Sequence, residues 1–300
     1  MHFLNKLVVA SVPLVPRRII RYFAGRYIAG ETLPMAVECV RALNREGVLA
    51  TMDVLGEDIT TREEATAARD QSITVLQTIA KEKLDSNLSI KLTSLGLKID
   101  KAFCVQNVRE ILKVAAEHNN FVRIDMEDSS CTSDTIEVFR TVHREFSNTG
   151  IVVQAYLFRT EEDVRGLAKD HTNFRLCKGI YKEPANIAFQ GREEVQRNYV
   201  SLLTIMLDAG CYVGIATHDT VLVDAAAALI AKRGLRKDQY EFQMLLGVRP
   251  ELRKKLVRDG HKVRLYVPYG EHWYGYSTRR FKENPEIAGY VFKALFTRNA

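Results

Sequence analysis

From about residue 48 onward, short β-rich apolar runs alternate with longer helical patterns, and this alternation limits the fold more than any other feature of the 300-residue chain. Repeated βα units lay parallel strands side by side with helices packed over them. Eight strand candidates are present: VLATMD (48–53), LSIKLT (88–93), FVRIDME (121–127), IVVQAYL (151–157), FRLCKGI (174–180), YVGIATH (212–218), YEFQMLLG (240–247) and KVRLYVPYG (262–270). Helical stretches separate them, such as TREEATAARDQSITVLQTIAKEKL, where the Thr60 and Glu63 spacing predicts a capping box. Eight units without a composition break predict an α/β fold, a single closed (β/α)8 TIM-type barrel over residues 48–300. An N-terminal helical segment over 1–47 packs on it, and a C-terminal helix carries Arg279 and Arg280. No G-x-G-x-x-G follows the first strand, which removes the main support for an open dinucleotide-binding sheet.

With 46% hydrophobic and 27% charged residues, the chain can bury the sizeable core that such a barrel needs. Its net charge of +6 comes from 43 basic residues interspersed with 37 acidic ones. That pattern lacks the aromatic-interleaved basic blocks of nucleic-acid binders and is explained by an anionic small substrate. Five cysteines and seven histidines are scattered, without C-x-x-C, H-x-H or H-E-x-x-H, so neither a metal site nor a disulfide framework is predicted and a reducing cytoplasm fits. LVVASVPLV (7–15) is too short to span a bilayer; with the basic PRRIIRYFAGRY after it, it reads as a helix packed on the core or touching a membrane surface.

In a barrel of this kind the active site forms at the carboxyl ends of the strands. Polar groups crowd those ends: Asp53, Lys91, Asp125 with Glu127, Gln154, Arg175 with Lys178, Thr217 with His218, Gln243 and Tyr266. Lys91 and Arg175, joined by Arg279 and Arg280, make the mouth attractive to anions, and a planar guanidinium suits a carboxylate. The segment YVPYGEHWYGYSTRRFKENP (266–285) adds Tyr266, Tyr269, Trp273, Tyr274 and Tyr276, and aromatic walls beside guanidinium donors describe a pocket for a ligand that is part ring and part carboxylate. In RLCKGIY (175–181), Gly179 lets backbone approach a phosphate-bearing cofactor. The same residues leave two other readings open: a Schiff-base lyase using Lys91 or Lys178, and a non-catalytic anion-binding protein.

Taken together, IKLTSLG (90–96), RIDMEDS (123–129), QAYLFR (154–159), RLCKGIYKEP (175–184), ATHD (216–219) and YVPYGEHWYGYSTRR (266–280) resemble the flavin-dependent proline dehydrogenase family. The blocks follow the family's order across most of the chain, whose length resembles the monofunctional bacterial form. The resemblance implies FAD at the barrel mouth and oxidation of L-proline to 1-pyrroline-5-carboxylate by hydride transfer from proline C5 to flavin N5. It also implies electrons passing on to quinone, with which a peripheral contact of the basic N-terminal segment at the inner face of the membrane is compatible.

Carried over residue by residue, the resemblance places Arg175 beside the flavin N5 edge, and Met126, Gln154, Lys178, Gly179, Ile180, Thr217 and His218 along the cofactor. It assigns the substrate carboxylate to Lys91, Arg279 and Arg280, and the ring walls to Tyr181, Tyr266 and Tyr276. Asp125 matches the family's active-site aspartate; among so many cations it reads as a counter-ion rather than a proton acceptor. VLGE (54–57) resembles the first βα loop, which implies a gate in which Glu57 pairs with Arg279 over bound substrate.

Overall fold

A computed structural model describes Arg21 and residues 25–56, 59–274 and 276–277 of the chain. Eight parallel strands close into a barrel in sequence order, β1 (Leu49–Val54), β2 (Ser86–Ile90), β3 (Val122–Ile124), β4 (Thr149–Gln154), β5 (Phe174–Cys177), β6 (Val213–Ala216), β7 (Tyr240–Leu245) and β8 (Val263–Tyr269), with β8 paired back onto β1. Helix α1 (Leu33–Arg45) precedes the barrel. After successive strands come α2 (Arg62–Lys81), α3 (Lys101–Glu117), α4 (Thr132–His143), α5 (Thr160–Leu167), α6 (Arg192–Asp208), α7 (Thr220–Arg233) and α8 (Pro250–Arg258). None of the helices among the described residues is long and apolar enough to cross a membrane.

All eight predicted strands are present, but several stop two or three residues before the apolar patterns do. Asp125, Lys178 and Thr217 lie just past their strands instead of within them. The backbone still makes ladder-like contacts there, as in Asp125 N–H to the Ile90 carbonyl (2.9 Å) and Tyr156 N–H to the Lys178 carbonyl (2.8 Å). The capping box of α2 also shifts by one residue from the predicted Thr60 and Glu63: Thr61 accepts from the Glu64 amide at 3.2 Å, and Glu64 reaches back to the Thr61 amide at 3.0 Å. Both registers satisfy the same spacing, and the one seen lets Ala65, Ser72, Leu76 and Ile79 share the buried face of the helix.

Side-chain parity divides the barrel into two environments. On β1, β2, β3, β5, β7 and β8 one set of positions is apolar and buried beneath the helices, including Met52, Leu88, Ile124, Leu176, Phe242 and Leu265. The alternate set, Thr51 and Asp53, Asn87 and Ser89, Arg123, Arg175, Glu241 and Gln243, Arg264 and Tyr266, fills the lumen. Barrels of this type usually pack the lumen with branched aliphatic side chains. Here it is largely polar, and the ions in it are shielded from water.

The place outside β8 and β1, where a helix following the last strand would pack, is taken by α1. The chain before α1 reaches the far end of β8, where the Ala29 amide donates to the Pro268 carbonyl (2.9 Å) and the Gly270 amide to the Gly30 carbonyl (3.1 Å). In the short described stretch after β8, Trp273 and Tyr276 are buried. The predicted C-terminal helix with Arg279 and Arg280 lies outside the described residues. Because Thr61 rather than Thr60 carries the cap, Thr61→Ala should lower stability by about 1 kcal/mol while Thr60→Ala stays within about 0.5 kcal/mol, as read by urea unfolding.

Candidate active site

Parity and strand order bring residues from distant parts of the chain onto one hydrogen-bonded cluster at the carboxyl end of the lumen. Arg175 on β5 is its hub. Arg175 Nη1 donates to Asp125 Oδ1 (2.7 Å) and Ser89 Oγ (3.1 Å), and Nε donates to Gln243 Oε1 (2.5 Å). Among the described residues Nη2 takes no hydrogen-bond partner. The guanidinium carbon lies 5.3 Å from the centre of the Tyr266 ring, a cation–π distance.

Asp125 is bound on both oxygens. Ser89 Oγ and Arg175 Nη1 each donate to Oδ1 at 2.7 Å, and the Tyr266 hydroxyl donates to Oδ2 at 2.8 Å. Burial, reinforced by the Asp125 and Asp53 charges, pushes the Tyr266 phenol well above its usual range, so it remains an O–H donor. Lys91 Nζ completes the cluster, donating to Asp53 Oδ1 (2.7 Å) and to the Tyr266 hydroxyl (3.2 Å), with Asp125 Oδ2 at 3.9 Å.

One ammonium thus serves two carboxylates. Burial disfavours the charge on Lys91, but Asp53 and Asp125 outweigh it and raise its pKa above the ordinary 10.5. Asp53 is pushed upward as well, mostly by its own burial and only partly offset by Lys91. Schiff-base formation requires the free amine, so an environment that favours the Lys91 ammonium argues against a lyase built on Lys91.

The remaining predicted residues surround this hub at varying depth. Gln154 is buried, with its Nε2 donating to the Glu127 carbonyl (2.9 Å), and Met126, next to Glu127 in sequence, is buried too. Lys178 turns to a different partner, Asp219 Oδ2 at 3.2 Å, which also meets Gln196 Nε2 (2.9 Å) and Arg192 Nη2 (3.4 Å). Burial opposes ionisation of Asp219, but its Gln196, Lys178 and Arg192 contacts hold its carboxyl below the usual range. Thr217 Oγ1 accepts from the Asp219 amide (3.1 Å), and His218 Nε2 accepts from the Leu245 amide (2.9 Å). Ile180 is exposed and Tyr181 half-buried, while Tyr276 is buried. Glu57, Arg279 and Arg280 lie outside the described residues.

Gly179 has φ +110°, and a Cβ there would fall 2.1 Å from the Tyr156 ring. Its glycine is therefore required by a protein side chain, independently of any ligand. The loop that follows β5 is tied down on its far side by Glu183, which accepts from the Ser129 amide (2.7 Å) and hydroxyl (2.6 Å) and so links the loops after β3 and β5. Ser89, Glu183 and Asp219 were absent from the site predicted by sequence. Ser89 was detectable, because it shares a strand face with Lys91 two residues on; the other two depend on loop geometry.

The proline dehydrogenase family model matches residues 36–292. Proline dehydrogenase 1 of Bacillus subtilis (strain 168) is 40% identical over 278 residues, covering 93% of this chain and 92% of that protein. A proline dehydrogenase of Deinococcus radiodurans is 36% identical over 297 residues, covering 96% of each chain. The crystal structure of proline utilization A from Bdellovibrio bacteriovorus, inactivated by N-propargylglycine, has a TM-score of 0.84 at 26% identity; the match covers 88% of this chain and 33% of that one.

The Lys91–Asp53 pair also sets a stability expectation. Removing one partner of a buried ion pair strands the other charge, at a cost of about 3–5 kcal/mol. Lys91→Met should show that loss in urea unfolding, and adding Asp53→Leu should restore most of it; a double variant no more stable than the single one would mean the pair is not the source of the cost.

Proposed function

The chain belongs to the proline dehydrogenase family, and from that membership we propose its reaction: oxidation of L-proline to 1-pyrroline-5-carboxylate, the first step of proline catabolism, with FAD as the bound cofactor. FAD, when bound, supplies at its N5 the acceptor for the hydride leaving proline C5. One observation carries the reading. Arg175 is fixed by Asp125, Ser89 and Gln243 yet keeps Nη2 uncommitted among the described residues, so a positive edge is left over in a pre-organised position beside Tyr266. That fits a group on which negative charge develops.

The donor set elsewhere fits the rest of the cofactor. The half-buried Lys178 and the exposed Arg192 gather around Asp219 as cations suited to phosphates, and Met126, Gln154, Gly179, Ile180, Thr217 and His218 are the family's counterparts along the cofactor. On the substrate side, Lys91, whose ammonium is favoured by Asp53 and Asp125, meets the carboxylate with Arg279 and Arg280 as its partners, and Tyr181, Tyr266 and Tyr276 wall the ring. Asp125 acts as a counter-ion: both its oxygens already accept hydrogen bonds, which is the arrangement of an orienting charge and not of a waiting base. Electrons leave afterwards to quinone or another acceptor. Glu57 closes the site by pairing with Arg279.

The purified protein should be yellow, and its flavin absorbance should bleach on anaerobic addition of proline. Colourless protein trapped by borohydride with a carbonyl substrate would sink the assignment and favour a lyase. For the gate, Glu57→Gln should weaken proline binding about tenfold, or ~1.4 kcal/mol, in the wild-type background and by less in an Arg279→Gln background, where its partner is already gone. Additive losses in that cycle would exclude the pairing.

A further inference from the structure

We propose that Gln243 is a positioning residue for this reaction: its amide fixes the plane of Arg175 beside the cofactor, and the Glu241–Arg264 ion pair beneath it decides which end of that amide faces Arg175. The inference rests on the placement of Arg175 proposed above and extends it from the mouth to the floor of the barrel.

Strand register makes the contact possible. Arg175 on β5 is level with Gly214 on β6, and Gly214 with Glu241 on β7. Arg175 must therefore reach across β6 to meet Gln243. Gly214 leaves that path open: a Cβ there would lie 2.4 Å from Gln243 Nε2 and 2.7 Å from Cδ. Over this gap Arg175 Nε donates to Gln243 Oε1 at 2.5 Å.

An amide has a donor end and an acceptor end, so its usefulness to Arg175 depends on its orientation. Gln243 Nε2 donates to Glu241 Oε1 at 2.6 Å, and the same oxygen accepts from Arg264 Nε at 2.7 Å. Arg264 is in turn tied to the Ala50 carbonyl through Nη1 at 2.6 Å. Although burial opposes it, Arg264 keeps the Glu241 carboxyl ionised, with its pKa lowered to about 2. A carboxylate only accepts. Flipping the Gln243 amide would set its oxygen against Glu241 and its N–H groups against the Arg175 Nε–H, two repulsive contacts inside the lumen.

Arg175 is thus held at two points, Nη1 by Asp125 and Ser89, and Nε by Gln243. Without the second, the guanidinium pivots about the first. Asp125, Tyr266 and Lys91 keep their mutual contacts in that event, so the substrate side is preserved while the charge facing the cofactor moves.

Holoenzyme carrying Gln243→Leu, Gly214→Ala or Arg175→Gln tests this through the flavin midpoint potential, measured by dye-coupled titration without proline. Turnover constants and thermal melting are recorded alongside. Gln243→Leu should weaken flavin reduction about tenfold, a fall of about 30 mV for a two-electron couple. It should lower kcat about tenfold while KM for proline stays within about threefold. Gly214→Ala keeps the glutamine but fills the space its amide needs, and should move the potential the same way, which decides the matter if Gln243→Leu does not fold. If Arg175→Gln lowers the potential while the Gln243 and Gly214 variants leave it at the wild-type value, whatever their melting points, Gln243 positions nothing and the proposal is overturned. If Arg175→Gln itself leaves the potential unchanged, the placement of Arg175 beside the flavin is what failed, and the proposal falls with it.

Discussion

Charges inside a barrel have to be paired, and that requirement organises this molecule from its floor to its mouth. Taking an ion out of water costs several kcal/mol unless hydrogen bonds and counter-charges replace the water. Glu241 is met by Arg264 and Gln243, Asp53 by Lys91, and Asp125 by Arg175, Ser89 and Tyr266. Arg123, which makes no ion pair among the described residues, donates from Nη1 to the carbonyls of Ile151 (3.2 Å) and Asn173 (2.5 Å) and from Nη2 to the Asn173 side-chain oxygen. Burial and the neighbouring Arg175 charge lower its pKa to about 9. Each group is useful to its neighbour only in one orientation, so the lumen has little freedom to rearrange. A site for charge transfer gains from that rigidity, since the dipoles need not reorganise when charge develops.

The helical shell supports the same end. α1 fills the place beside β8 and β1, and just past β8 Trp273 and Tyr276 are buried. The loop after β5 is held in a comparable way, by Glu183 across to Ser129 and by the close packing of Gly179 on Tyr156. Binding residues placed on loops are precise only when the loops are tied. Here the ties are to neighbouring loops and to the chain that precedes the barrel.

Much of this was legible in the chain. Strand and helix periodicities differ, so eight alternating runs specified a barrel, and strand parity placed Asp53, Lys91, Arg175, Gln243 and Tyr266 near its carboxyl end. Local patterns were weaker guides at boundaries: two overlapping Thr-x-x-Glu spacings competed for the cap of α2, and apolar runs continued past the last paired residues of β3, β5 and β6. The close packing of Tyr156 on Gly179 left no mark in the sequence.

The sequence by itself determined the architecture, the family and the chemical character of the mouth, because periodicity and residue type survive in one dimension. Tertiary structure alone decided the partners. Arg175 could have met any of several acceptors, and the closure of β5, β6 and β7 with a glycine between gave it Gln243, as the approach of β2 and β3 gave it Ser89 and Asp125. Those contacts join residues up to 86 positions apart. Which pair forms depends on strand register and on the space left between side chains, quantities that exist only once the barrel has closed.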